Sequence, residues 1–201
     1  TNKGLQGQKA QFTYSGYYGL RSIFAPYPMM NAEEFRTLRT DANMYPIDGA
    51  DESDAYDTDW QDLFYKTGAV TSHDLGVSGG TEKSNYNFGI GYIRDEAIIP
   101  GQNYTRFSFR GTLDQEIGKL LRIGFATNNN YSINMGGNLG LYGVLSLSPL
   151  ANPYSEDGTW KRTIKMPLDE QWTYSREIIE SLGDKWIDQT KAYGSYNTVY
   201  A

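Results

Sequence analysis

Between residues 85 and 132 the chain alternates apolar and polar residues without a break. Tyr86, Phe88, Ile90 and Tyr92 alternate with Asn87, Gly89 and Gly91. Phe107, Phe109 and Leu113 alternate with Arg106, Ser108, Arg110, Thr112 and Asp114. After a tight turn, Leu121, Ile123 and Phe125 alternate with Arg122, Gly124, Ala126 and Asn128. A period of two is the signature of strands with one apolar face. Here the second face is rich in Gly, Asn and Arg, a lining that a water-filled barrel tolerates. Transmembrane β-barrels are built from segments of about ten residues with this pattern. The expected fold class is therefore all-β, an antiparallel transmembrane β-barrel, with a soluble carbohydrate-binding β-sandwich as the alternative.

Composition narrows the choice. The mean hydropathy is -0.59, and no stretch approaches the ~18 consecutive apolar residues of a spanning helix. A barrel survives that test because alternating strands average out. The net charge of -6 offers no clustered basic surface for nucleic acid. The chain has no cysteine, so disulfides and thiolate metal sites are excluded. Its 17 tyrosines suit a membrane interface, with apolar ring and polar tip, and equally suit stacking on sugars. No signal peptide is visible at Thr1, Asn2, Lys3 and Gly4, and the chain starts abruptly, as if cut from something longer.

Along the chain, residues 8–20 read as a strand with Ala10, Phe12 and Tyr14 on one face. A polar excursion over about 21–71 follows. In it Asn31 and Glu34 form a capping box for a short helix striped by Phe35 and Leu38. A second helical turn is expected over 60–66, capped by Thr58 or Asp59. The acidic stretch 48–59 reads as mobile. From residue 72 a meander runs through strands at Leu75 and Val77, then 85–94, 104–115 and 120–132. A second excursion, about 133–194, holds a Pro/Gly-rich segment at 149–158 and an expected helix over 175–189. Residues 195–201 read as one more strand, for about six in all.

Connection lengths supply an independent test. They run long, short, medium, short, very long. Outer-membrane barrels have short periplasmic turns and longer extracellular loops. Placing the turns at 79–84 and 116–119 in the periplasm puts every long connection outside, with Tyr27, Trp60 and Trp160 beyond the outer rim.

These segments, in this order, resemble the SusC/RagA family of TonB-dependent outer-membrane transporters. Thr1-Asn2-Lys3-Gly4 is similar to the end of the family's plug, and Tyr14 to Leu20 (YSGYYGL) to its first barrel strand. Met30-Asn31-Ala32-Glu33-Glu34-Phe35 resembles the family's Leu-Asn-x-x-Glu-Tyr helix start. The DTDWQD run from Asp57 to Asp62, the Val77-Ser78-Gly79-Gly80-Thr81-Glu82 turn, and Tyr104-x-Arg106 with Arg110 continue the match. The segment 149–158 fits a family loop with Pro-x-x-Pro-Tyr and an Asp-Gly turn. The resemblance implies a plug end and linker at 1–7 and the first barrel strands over 8–201. It implies uptake of an oligosaccharide or peptide, driven by TonB through a plug this chain does not contain. It further implies a SusD-like surface lipoprotein as lid. A plugged transporter closes with about 22 strands, so the edges at 8–20 and 195–201 are expected to lack ladder partners here.

Chemistry candidates are few. Asp48, Asp51, Glu52, Asp54, Asp57 and Asp59 can offer oxygens to Ca²⁺, but lack the Asp-x-Asp-x-Asp-Gly spacing. They read as a solvated acidic loop, and no cofactor is expected. A glycosidase pair needs a fixed carboxylate separation that a surface loop does not supply. His73, the single histidine, gives no catalytic triad and reads as a hydrogen-bonded structural residue. No enzyme is expected. Asn87, Arg106, Arg110 and Arg122 must face the lumen, because a charge on the lipid face costs roughly 2–4 kcal/mol at the midplane. The arginines there can pair with the plug, with neighbouring carboxylates such as Asp114, or with substrate. Trp60, Tyr142, Tyr154, Trp160, Trp172 and Trp186 lie on the long connections. Each is open to three readings: a substrate-stacking platform, a lid contact, or a loop-core residue.

Overall fold

A computed structural model describes residues 7, 9–44, 51–136, 141–182, 185 and 187–201. Expectations resting on Thr1 to Gly4, Gln8, Asp48 and Trp186 lie outside the described residues. Six strands form one antiparallel sheet: β1 (Gln11–Arg21), β2 (Gly68–Thr81), β3 (Ser84–Glu96), β4 (Asn103–Ile117), β5 (Leu121–Met135) and β8 (Gln189–Tyr200). Their order in the sheet is β1-β2-β3-β4-β5-β8, so β1 and β8 are its edges and the sheet is open. The fold is all-β, as the alternation implies. Every expected strand is present, and most are longer than the alternation alone marks.

Residues directly opposite in an antiparallel ladder point to the same face, so register assigns the faces. Tyr14, Leu75, Ile90 and Phe109 are successive partners, as are Phe12, Val77 and Phe88. Tyr86, Leu113, Phe125 and Val199 make a further row, and His73, Tyr92, Phe107, Tyr131 and Tyr193 another. Phe88 and Phe109 have ring centroids 6.5 Å apart, and Tyr92 and Phe107 5.1 Å. The band is continuous, and among the described residues no second sheet covers it. Ile90 stays 53% exposed and Phe107 47%. A β-sandwich would bury these side chains between its two sheets.

The opposite face carries Asn87, Arg106, Arg110 and Arg122, whose ladder partners include Ser78, Ser132, Asn128 and Glu116. Gly89 lies beside Arg110 on this face. A Cβ there would sit 3.0 Å from the arginine's Nε, so the absent side chain makes room for the guanidinium stem.

The two short turns share one rim. Thr81 pairs with Ser84 at the first, and Ile117 with Leu121 at the second, where Gly118 takes a positive φ of 65°. Ser84 stands opposite Gln115, so the second turn reaches two residues further. That step over two strands is the stagger of a tilted barrel wall. Along β4 the apolar face runs from Phe107 to Ile117. Ten residues at ~3.4 Å each, tilted by ~40°, give a band roughly 26 Å tall, the height of a bilayer core. Connections 22–67, 97–102 and 136–188 all leave from the other rim, which also places Tyr27, Trp60 and Trp160 there.

Among the described residues, four helices and a hairpin occupy those connections: α1 (Ala32–Asp41), α2 (Trp60–Phe64), α3 (Leu141–Leu145), α4 (Arg176–Leu182), and β6 (Thr163–Lys165) paired with β7 (Glu170–Trp172). Two corrections follow. The helix expected over 175–189 stops at Leu182, and Gln189 opens β8 by pairing with Met135. The β6–β7 hairpin has no counterpart in the sequence reading, since three-residue strands carry too little periodicity to register.

Candidate functional site

The outer-rim connections pack into one body with its own core: Trp60, Phe64, Val144, Leu147, Ala151, Ile164 and Ile179. Its helices start where their caps dictate. Asn31 Oδ1 accepts the Glu34 N–H at 2.9 Å, and Glu34 Oε2 accepts the Asn31 N–H at 3.1 Å. Asp59 Oδ1 accepts from the N–H groups of Gln61 and Asp62 at 2.9 and 3.1 Å. Both expected caps form, with Asp59 chosen over Thr58.

The acidic stretch corrects a second expectation in part: Asp51 and Glu52 are anchored inside the loop body, while Asp54, Asp57 and Asp59 stay exposed, as a solvated loop implies. Glu52 is buried and accepts both arms of the Arg39 guanidinium at 2.8 and 2.9 Å. Asp51 takes Lys161 Nζ and the Lys165 N–H, each at 2.6 Å. Burial works against the Asp51 charge. Its hydrogen bonds from Lys161 and Lys165, together with the two ammonium charges, outweigh that and hold the carboxyl below the usual aspartate range. Asp54 pairs with Arg36 at 2.7 Å, and Asp57 accepts the Ala32 N–H at 2.9 Å. Each partner belongs to a segment remote in sequence or to α1. Among the described residues, no group of three potential metal ligands gathers around one point.

The aromatic candidates separate. Trp60 is a correction to the stacking-platform reading: it is 6% exposed, and its indole N–H donates to the Ser148 carbonyl at 2.8 Å. It belongs to the loop core. Tyr142 on α3 is 83% exposed and Trp172 on β7 65%. Tyr154 and Trp160 face each other across an isolated bridge, ring centroids 4.6 Å apart and tilted by 46°. These four present ring surface to the outside, but only Tyr154 and Trp160 are brought together.

Two features of this end have no counterpart in the sequence reading. One is a cleft of about 570 Å³ between α1 and the loop core, with Tyr27, Met29, Met30, Phe35 and Leu38 on its α1 side. The run Pro26-Tyr27-Pro28-Met29-Met30 was its only local signal. The other is a polar row at the top of the polar face, where Arg21 pairs with Asp95 at 2.9 Å beside Tyr104 and Asn134. Lower on that face, Arg122 lies 3.4 Å from Asp114, which also accepts the Tyr200 hydroxyl. On the apolar face, His73 Nδ1 is hydrogen-bonded to the Tyr14 hydroxyl at 2.8 Å, and its ring stacks with that of Tyr92. It joins the aromatic row at the upper edge of the band, where amphipathic rings mark a bilayer interface.

No family model matches the chain. It is 26% identical over 192 residues to TonB-dependent receptor P3 of Formosa agariphila, covering 90% of this chain and 19% of that protein. It is 24% identical over 170 residues to TonB-dependent receptor SusC of Bacteroides thetaiotaomicron, covering 81% of this chain and 16% of that protein. In three dimensions it is similar to the RagAB peptide importer in its closed-closed state, with a TM-score of 0.71, 19% identity, and coverage of 87% of this chain and 24% of that one. The open-open state gives a TM-score of 0.67 at 18% identity, covering all of this chain and 27% of that one. The chain thus spans less than a fifth of the curated relatives it matches. The curated relatives are named as TonB-dependent receptors and the structural neighbour as a peptide importer.

Proposed function

We propose that this SusC/RagA-like chain forms part of the barrel wall of a TonB-dependent outer-membrane transporter that imports oligosaccharides or peptides. One observation carries the reading. A continuous exposed apolar band of bilayer height backs a polar face, and all the long connections leave from one rim. The soluble-sandwich alternative needs a second sheet over that band, and nothing favours it. In this reading Asn87, Arg106, Arg110 and Arg122 line the lumen, and residues 1–7 lead in from the plug, through which TonB acts. The loop body with Tyr142, Tyr154, Trp160 and Trp172 faces the cell exterior, within reach of substrate and of a SusD-like lipoprotein lid. No cofactor is needed, because transport draws its energy through TonB.

The test uses the complete protein in its own bacterium. Deleting it is expected to abolish growth on one polymeric glycan or peptide source while sparing growth on the free monomers. Loss of TonB should reproduce the defect. Unchanged growth on every such source, or recovery of the protein in the soluble fraction, would contradict the reading.

A further inference from the structure

We propose that Arg21, Asp95, Tyr104 and Asn134 form a subsite at the outer mouth of the lumen for a neutral, polyhydroxylated ligand, a sugar ring of an oligosaccharide. The proposal rests on the importer reading above and names the substrate class at that mouth.

Placement comes from register. Asp95 is the ladder partner of Tyr104, and Tyr104 of Asn134, so three consecutive strands set these side chains in one row on the polar face. At ~4.8 Å between strands the row is about 10 Å long. Arg21 closes it from the end of β1, its guanidinium 2.9 Å from Asp95 Oδ2. A cavity of about 330 Å³ opens over these residues. Tyr104 lies three residues beyond Phe107 at the loop end of β4, half-buried and on the face opposite the apolar band.

The ligand's chemistry follows from what the row leaves unsatisfied. Asp95 Oδ1 is buried and accepts no hydrogen bond among the described residues, so a donor is missing there. A quarter of the Asp95 side chain remains exposed, and the terminal torsion of an aspartate is soft. A small rotation therefore presents that oxygen to a guest. The Tyr104 hydroxyl and the Asn134 amide add both donors and acceptors beside it. Arg21 and Asp95 cancel each other's charge, and every other residue lining the cavity is uncharged. A charged guest would have to unbalance that pair. Separate hydroxyls of one ring can donate to Asp95 at one end of the row and accept from Asn134 at the other, and the Tyr104 ring between them offers a face for sugar C–H groups. An apolar peptide side chain would find little cover in a cavity whose apolar lining, besides the Tyr104 ring, is Ala97 and Met135.

The test measures binding to the purified full-length transporter by titration calorimetry. The probes are maltohexaose, laminarihexaose, xylohexaose and a mixed tryptic peptide pool. The variants are Asp95→Asn, Tyr104→Phe and Asn134→Ala, each checked for the heat-modifiable gel mobility of a folded barrel. Tyr104→Phe and Asn134→Ala leave the Arg21 pair intact, so they report even if Asp95→Asn disturbs folding. The wild type is expected to bind at least one of the three sugars, with affinity lowered about tenfold or more in folded Asn134→Ala and several-fold in Tyr104→Phe. Sugar binding unchanged by all folded variants, binding of peptides alone, or no binding of any of the three sugars would overturn the subsite. Variant-sensitive sugar binding with uptake that survives loss of TonB would instead sink the importer reading and leave the subsite standing.

Discussion

Glu116 donates its backbone N–H to the carbonyl of Lys83 at 2.7 Å, which joins the β2–β3 turn to the end of β4 just before the β4–β5 turn. The two short turns are thereby one rim of the sheet. Every long connection is forced to the other end, where the loops meet and bury a core of their own. This segregation turns a list of six strands into a wall with an inside, an outside, a top and a bottom.

The loop core gives the first prediction. Trp60→Ala removes a buried indole and leaves the Ser148 carbonyl without its donor, which should cost about 3–5 kcal/mol of local stability. Tyr142→Ala removes a side chain in water and should change stability by less than about 0.5 kcal/mol. Hydrogen exchange of α2 and α3 in the full-length protein checks both. Equal protection in the two variants would remove Trp60 from the core.

Two ion pairs on α1 should differ in weight. Arg39 and Glu52 are buried, so Glu52→Ala removes both carboxylate hydrogen bonds from a buried guanidinium and should cost about 3–5 kcal/mol. Arg36 and Asp54 are solvent-exposed, and Asp54→Ala should cost at most about 1 kcal/mol. Limited proteolysis next to α1 should accelerate sharply in the first variant and little in the second.

Acid should release the loop body through Asp51. Its folded pKa lies below that of a free aspartate, about 3.9. The stabilisation is therefore fully present above that value and lost as pH falls through the folded pKa. Exchange protection at Lys165 is expected to hold at pH 5 and fall below about pH 4. Asp51→Asn should flatten that part of the profile. A loss centred at pH 6 would point to a different group.

The faces of β4 should respond in opposite ways to charge. Phe109→Lys places an ammonium in the apolar band and should cost roughly 2–4 kcal/mol if it lies near the midplane, while Arg110→Lys on the polar face should be close to neutral. Urea titration of the full-length barrel refolded into lipid vesicles compares them.

How much of this was legible in the sequence depends on how local each signal is. The pleat from Tyr86 to Phe125 was, because a period of two needs only neighbouring residues. So were the caps at Asn31 and Asp59, which act within one turn of helix. Strand ends were less so: β2 begins at Gly68 and β8 at Gln189 because partners on β3 and β5 extend the ladder, not because those residues favour strands. The acidic run read as solvated since Lys161 and Lys165 lie more than a hundred residues away from Asp51. Trp60 stayed open between platform, lid contact and loop core for the same reason, since its cover comes from α3 and the segment after it. The polar row at Asp95, Tyr104 and Asn134 depends on register across three strands, which no single segment records.

The central claim is that one face of this sheet meets lipid and the other meets water, and its most direct test exploits the absence of cysteine from these 201 residues. Single cysteines at Ile90, Phe109 and Ile123, and at Asn87, Arg110 and Asn128, would be placed in the full-length protein, cleared of any cysteine elsewhere. Spin labels at these sites, with the protein in lipid vesicles, report collision with oxygen, which partitions into lipid, and with a nickel chelate confined to water. The account predicts high oxygen and low nickel accessibility at the first three sites and the reverse at the second three, alternating between Phe109 and Arg110. Equal accessibility on both faces, or oxygen-rich signals at Asn87, Arg110 and Asn128, would contradict it.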